Sequence, residues 1–375
     1  MKVVVAIDSL KGSLSSIEAG LAAKEGILKA RPDATVVVKP LADGGEGTVD
    51  ALIEGMNGER VYITVTGPMG TPVSCYYGYL KESNTAIMEM ASAAGITLVP
   101  DNGKNPMLAS TYGVGEMILN AMERGCRNFI IGIGGSVTND GGIGMLKALG
   151  YEFFDKNGKD VGEGGQALAK VASINTDKSN PLISECNFRI ACDVNNPLCG
   201  ENGATYIYGP QKGVSDDMKA DLDAGMANYA KVTAETLGYD NSETAGVGAA
   251  GGLGFAFLSY ISAKLTPGIS LILDAVGLES ELKDADIAVT GEGRLDHQTA
   301  MGKAPVGVAR LAKKYNAKVV AFAGAVTEGA IACNDAGIDA FFPIVRGVTT
   351  LEEAMNKENA HKNMSATAEQ VFRLF

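Results

Sequence analysis

The sequence predicts an α/β protein. Its core is a discontinuous, flavodoxin-like, doubly wound parallel sheet formed by both chain ends, and a mixed α/β domain is inserted into it. Three observations carry this reading. Apolar runs alternate with helix-like segments at both ends of the chain, as two β-α units at the start and three at the end. The stretch between them has a different grammar, with hairpin signals and glycine clusters. A length of 375 residues also exceeds what one ordinary core holds.

The elements follow in order. Residues 3–7 (VVVAI) form a continuous apolar run, as a strand buried on both faces does. Ser15 and Glu18 have the spacing of a capping box, which opens a helix that Pro32 stops after about residue 30. Residues 34–39 read as the second strand and 48–56 as the second helix. Residues 61–80 alternate around Gly67-Pro68-Met69-Gly70, a hairpin signal. Strands follow at 86–90, 129–133 and 188–192, and helices at 110–124, 142–149, 215–237 and 253–264. From residue 285 the β-α alternation returns, with strands at 287–289, 318–323 and 340–344 and helices at 305–315, 329–336 and 363–375. The predicted domains are 1–60 plus 283–375, and 61–282, with the active site in the cleft between them.

Composition narrows the function. The net charge of −12 disfavours a nucleic-acid partner, which leaves a basic footprint. The six cysteines lie apart without a C-x-x-C pair, which reads as reduced thiols in a cytoplasmic protein and not as a zinc site. The opening MKVVVAIDS is a first strand, not a signal peptide. Residues 244–263 carry no charge, but their first half is mostly glycine and alanine, so a buried helix entered through a glycine loop is expected there and no membrane partner.

If the strand order is 2-1-3-4-5, strands one and three are neighbours and the switch point lies between their carboxyl ends, where open α/β sheets place ligands. Three polar, glycine-hinged loops then converge: DSLKGS (8–13), ADGGEGT (42–48) and TGEGRLD (290–296). Lys11 and Arg294 suit the oxygens of a carboxylate or phosphate. Asp8, Asp43, Glu46, Glu292 and Asp296 outnumber those two cations, as expected where Mg²⁺ takes oxygen ligands beside phosphate. One of these carboxylates could also accept the proton of an attacking hydroxyl.

In the insert, GGSVTNDGG (134–142) lies between a strand and a helix, where backbone N–H groups can cradle phosphate. Gly134, Gly135, Ser136, Thr138 and Asn139 are the candidates, although no G-K-[ST] follows as a Walker A loop requires. The loop at 246–254 lacks polar side chains, and close packing explains it better. Asp193 could reach a hydroxyl or a metal, or serve an Asx-turn before Pro197. Lys212 could offer a cation to phosphate, though a solvated lysine is commoner, and the two histidines receive no role.

Seven ordered motifs carry a resemblance: DSLKGSLSS, PLADGGEGT, GIGGSVTNDGGIGMLKALG, CDVNNPLCG, GPQKG, GAAGGLG and TGEGRLDHQTAMGK. Together they resemble the bacterial glycerate kinase family of the glycerate 2-kinase type, from residue 1 to about 347. The resemblance implies phosphorylation of glycerate with ATP as co-substrate and Mg²⁺, in the cytoplasm. On that basis Lys11 or Arg294 holds the glycerate carboxylate, helped by Ser9 or Ser13. Residues 134–139 take ATP phosphates, and one or two of Asp43, Glu46, Asp193, Glu292 and Asp296 bind the metal. Asp296 or Asp193 is the base. The expected product is 2-phosphoglycerate, with 3-phosphoglycerate as the alternative. A clamping protein that binds a small acid without chemistry is the rival of another class. A nicotinamide enzyme is disfavoured, because no G-x-G-x-x-G follows the first strand.

Overall fold

The computed structural model describes residues 1–45 and 47–375. Its strands in chain order are β1 (Lys2–Ile7), β2 (Thr35–Val38), β3 (Glu59–Thr66), β4 (Pro72–Leu80), β5 (Thr85–Glu89), β6 (Asn128–Gly132), β7 (Glu152–Phe154), β8 (Ser173–Asn175), β9 (Asn187–Ala191), β10 (Lys264–Thr266), β11 (Ile287–Leu295), β12 (Lys318–Val326) and β13 (Ala340–Pro343). The chain divides into two units, Met1–Gly58 with Ile269–Phe375, and Glu59–Gly268.

The first unit holds a five-stranded sheet in the order β13-β12-β11-β1-β2. Every pairing in it is parallel. Counted along this unit alone, the order is 2-1-3-4-5, as the sequence predicts. Val3, Val5, Ile7, Ile287, Val289, Val320 and Phe322 share one face with Ala19, Ala23 and Ile27 of the Ser16–Ala30 helix and Met364, Ala368 and Phe372 of the Lys357–Phe372 helix. By the two-residue alternation, Val4, Ala6, Ala288 and Ala321 point the other way and are equally buried. Strands buried on both faces account for the continuous apolar runs. The Ala304–Lys313 helix, which packs on β11 and β12, contributes nothing to the first cluster and covers the second face.

The capping box is present: Ser15 Oγ accepts from Glu18 N–H, and the Glu18 carboxylate accepts from Ser15 N–H. The helix it starts runs close against the Lys357–Phe372 helix. A Cβ on Gly26 would lie 2.0 Å from the Ser365 carbonyl oxygen.

Two differences from the sequence reading bear on the first unit. β11 extends to Leu295, so GEGRL belongs to a strand and not to a loop after it. The extension is held by pairing with an equally long β12, Glu292 opposite Ala323 and Arg294 opposite Ala325. Gly291 permits it, because a Cβ there would lie 1.9 Å from the Phe322 carbonyl oxygen. The stretch 269–282, read from sequence as part of the insert, clusters with the chain ends. Tyr315 donates to Glu279, and Lys2 pairs with Glu281. Helices Gly268–Ala275 and Leu278–Leu282 precede β11, so a search for a returning strand passes over them.

The second unit holds a six-stranded mixed sheet, β10-β9-β6-β5-β4-β3. The β10-β9-β6-β5 pairings are parallel and the β5-β4-β3 pairings antiparallel. Phe129 and Phe188 stack at 4.6 Å across β6 and β9. The Ala249–Tyr260 helix is buried along nearly its whole length. No helix among the described residues is long and apolar enough to cross a membrane. The glycines of the 246–254 stretch, which includes the start of the Ala249–Tyr260 helix, serve close packing, as expected: a Cβ on Gly251 would lie 2.1 Å from the Thr138 carbonyl oxygen.

Gly26→Ala tests the helix pair. The added methyl forces the Ser16–Ala30 and Lys357–Phe372 helices apart, and urea unfolding should show a loss of about 1–3 kcal/mol. An unchanged midpoint would mean that the two helices have slack to absorb it.

Candidate active site

Parallel register sets the first unit's site. Ile7 lies opposite Gly291, and Asp8 N–H donates to the Gly291 carbonyl at 2.9 Å. The end of β1 therefore lies beside Gly291, and β11 runs on past it to carry Glu292 at the same edge. Ser16 ties in the third end: its hydroxyl donates to the Ile7 carbonyl at 2.7 Å and accepts from Leu41 N–H at 2.8 Å. Asp8, Asp43 and Glu292 thus come from three strand ends and act on one another electrostatically.

Asp8 is 8% exposed, and among the described residues its carboxylate accepts one hydrogen bond, from Ser9 N–H at 2.7 Å. Burial, reinforced by the charges of Asp43 and Glu292, raises its pKa to about 7 against the pull of Ser9 N–H and Lys11. Asp43 closes an Asx-turn onto Gly45 N–H at 2.9 Å. Lys11 is exposed on the loop after Asp8. That loop is pinned by the backbone pair Leu10–Leu14, and a Cβ on its Gly12 would lie 2.6 Å from the Met355 methyl. Ser9 and Ser13 sit on the same loop, and Ser13 Oγ is buried without a hydrogen-bond partner among the described residues.

Glu292 is fixed by Thr299. The Thr299 hydroxyl donates to Glu292 at 2.6 Å and accepts from Asp296 N–H at 3.1 Å. Burial raises the Glu292 pKa, and the Thr299 bond and Lys303 restrain the rise. Asp296 has another employment. It caps the short His297–Ala300 helix, accepting from Gln298 N–H at 2.9 Å and Thr299 N–H at 3.3 Å, and Arg294 Nε donates to it at 3.2 Å. Burial pushes its carboxyl up, but Lys303, the two N–H groups and Arg294 outweigh that and hold it below the usual carboxylate value. The carboxylate expected as a base at Asp296 is thus engaged in a helix cap and held ionised by these partners, which lowers its affinity for a proton. Arg294 remains largely exposed, its side chain 66% accessible.

Glu46, an expected metal ligand, lies outside the described residues. Among the described residues no group of three or more His, Cys, Asp or Glu side chains is arranged to hold a metal ion. The donors gathered around Asp8 are carboxylate oxygens, which is the chemistry Mg²⁺ takes, and in kinases substrate phosphates and water complete its shell.

The remaining candidates lie in the second unit. Asp193 is exposed and accepts from Gly268 N–H at 2.8 Å. In the 134–142 loop, Gly134 and Gly135 are exposed, whereas Ser136, Thr138 and Asn139 are buried. The following helix, Ile143–Ala148, offers no anion slot. The wholly buried Asp140 fills it, accepting from Gly142 N–H at 3.2 Å, Gly144 N–H at 3.3 Å, and Thr111 N–H and Oγ1 at 2.8 Å. Any phosphate cradle in this loop is therefore confined to its first residues, and the helix start contributes nothing to it. Lys212 is buried too, not solvated.

Sequence reasoning placed Asp8 among the converging carboxylates but gave it no role of its own, because nothing in DSLKGS says which acid is desolvated. It also passed over Lys303 and Thr299, although both stand in the TGEGRLDHQTAMGK motif.

The uncompensated charge at Asp8 makes a stability prediction. The native pKa of about 7 lies above the unfolded value near 3.8, so the native state holds the proton more tightly. Stability is full below pH 4 and falls as pH rises to about 7. In EDTA, Asp8→Asn should remove that slope and stabilise the protein at pH 7.5, on the order of 3 kcal/mol. Urea titrations across pH 4–8 check it. A destabilised variant with an unchanged slope would contradict the charge assignment.

The chain is similar to known proteins over its whole length. The model of the glycerate kinase family matches residues 3–375. A glycerate kinase from Haemophilus influenzae is 44% identical over 374 residues, covering 100% of this chain and 98% of the relative. A glycerate 2-kinase from Escherichia coli K12 is 43% identical over 372 residues, covering 98% of each. A crystal structure from Salmonella typhimurium LT2 that carries the name glycerate kinase 2 superposes with a TM-score of 0.91 at 43% identity, covering 100% of this chain and 98% of that one.

Proposed function

Since the chain belongs to the glycerate kinase family and is an enzyme of that kind, we propose that it transfers the γ-phosphoryl group of ATP to the 2-hydroxyl of D-glycerate in the cytoplasm. The observation that carries this reading is the meeting of Asp8, Asp43 and Glu292 beside Lys11 at neighbouring carboxyl ends of a parallel sheet. Phosphoryl transfer needs positioning and charge neutralisation more than a reactive nucleophile, and this constellation suits that task.

In this reading Lys11 holds the glycerate carboxylate, with Ser9 and Ser13 on the same loop as hydroxyl partners. The exposed Arg294 is a second cation for carboxylate or phosphate oxygens. Asp8 accepts the hydroxyl proton as oxygen attacks phosphorus, because it is buried, unpaired by any cation at hydrogen-bond distance and adjacent to Lys11. Asp43 and Glu292 are the residues that would hold Mg²⁺, which when bound neutralises phosphate charge. Thr299 keeps Glu292 aimed, and Asp296 orders the turn that carries Thr299. The exposed backbone of Gly134 and Gly135, with Ser136 behind, is the surface assigned to ATP phosphates. Asp193 remains a metal or hydroxyl contact to be tested by substitution.

The assay is ADP release with Mg·ATP and D-glycerate. Wild-type protein should turn over, and omission of glycerate should abolish release. Asp8→Asn should lower kcat by about 10²–10⁴-fold, the range of a lost general base, whereas Asp296→Asn should lower it by less than about tenfold. The reverse order would return the base to Asp296. Folded protein that binds glycerate without releasing ADP would favour the small-acid clamp.

A further inference from the structure

Lys212 is the buried charged group that this assignment leaves unused. It is 2% exposed, at the end of the Pro210–Lys212 turn. Its ammonium donates to Ser136 Oγ at 2.7 Å and to the Thr138 carbonyl at 2.7 Å. Among the described residues no carboxylate pairs with it directly. Asp140 acts on it only at a distance, with its own oxygens taken by Thr111, Gly142 and Gly144. Burial lowers the Lys212 pKa to about 7, with Asp140 opposing the fall. A lysine buried without an ion pair is costly, and an apolar side chain of the same length would fill the space more stably. A residue kept against stability marks a site with a task.

The task is legible in what it holds. The 134–138 segment is fixed on one side by the 94–96 backbone: Ile96 N–H donates to the Gly135 carbonyl at 2.8 Å, and Val137 N–H to the Ala94 carbonyl at 3.0 Å. Lys212 fixes its other side through Ser136 and Thr138. Between these two anchors Gly134 and Gly135 are exposed, and a Cβ on Gly134 would meet open space. Gly135 takes φ +74°, a conformation open to glycine at little strain.

We infer that Lys212 is a positioning residue for the nucleotide: it clamps Ser136 and Thr138 from behind, so that the Gly134–Gly135 backbone is presented to the phosphates of ATP. The inference rests on the kinase reading. It goes beyond that reading in assigning the rigidity of the phosphate surface, and a share of its positive potential, to a side chain that stays out of contact with substrate.

The test is steady-state kinetics of the full chain, with the ATP and glycerate constants measured separately. Lys212→Met keeps the bulk and removes the clamp. It should raise the KM for Mg·ATP by about tenfold or more and leave the glycerate KM within about twofold. Ser136→Ala keeps the ammonium and its bond to Thr138, and should raise the ATP KM by about two- to fivefold. ADP affinity by calorimetry should weaken in the same order. An ATP KM and an ADP affinity within about twofold of wild type in both variants would overturn the inference, as would equal rises in both substrate constants. If Lys212→Met does not fold, Ser136→Ala decides. Wild-type protein without ADP release would overturn the kinase reading instead, and ADP calorimetry would still judge the clamp.

Discussion

The pairing of β1 with β11 is the constraint on which the rest depends. It joins residues near the chain start to residues past 287, in register from Val3 opposite Ile287 to Ile7 opposite Gly291. Without it the first unit has no sheet, only two short strands from one end of the chain and three from the other. With it, parallel geometry obliges β1 and β11 to finish at the same edge, and Ser16 brings the end of β2 to them. Gly291 is the local condition. The strand presses so closely on Phe322 that any side chain there would break the extension carrying Glu292.

What gathers at that edge is poorly compensated charge. Apolar strands deliver Asp8 into a desolvated position beside two other carboxylates, and the nearby cations stay outside hydrogen-bond distance of it. The second unit repeats the theme with opposite sign, where Lys212 lies buried against hydroxyl and carbonyl oxygens and not against an anion. Asp140 is buried as well, but four donors satisfy it, whereas Asp8 and Lys212 face no opposite charge at hydrogen-bond distance among the described residues. Both lie beside glycine-rich loops at the ends of parallel strands, β1 in one sheet and β6 in the other.

Much of the fold was legible because it is local. The Ser15–Glu18 capping box, the valine-rich runs and the returning β-α alternation each report on a few residues at a time. The strand order followed from one rule of open α/β sheets. What escaped depends on distant partners. GEGRL carries no strand pattern of its own, and only β12 alongside it makes it one. Asp296 and Asp8 are the same letter, and the difference between a helix cap and a desolvated acid lies in their surroundings. The 134–142 loop looks like a phosphate cradle until Asp140 is found filling its helix end. Lys212 reads as a surface lysine because burial of an unpaired ammonium is rare enough to be a poor guess.

We propose that the convergent carboxylate edge of the parallel sheet directs phosphoryl transfer to the 2-hydroxyl of glycerate. The most direct measurement is ³¹P NMR of the product formed from Mg·ATP and D-glycerate. Transfer to the 2-hydroxyl gives a phosphomonoester resonance split by the single proton on C2. Splitting by the proton pair on C3 would mean that the hydroxyls are placed the other way round. Inorganic phosphate alone would contradict the account, because it would show a nucleotide site that does not deliver phosphorus to this acceptor.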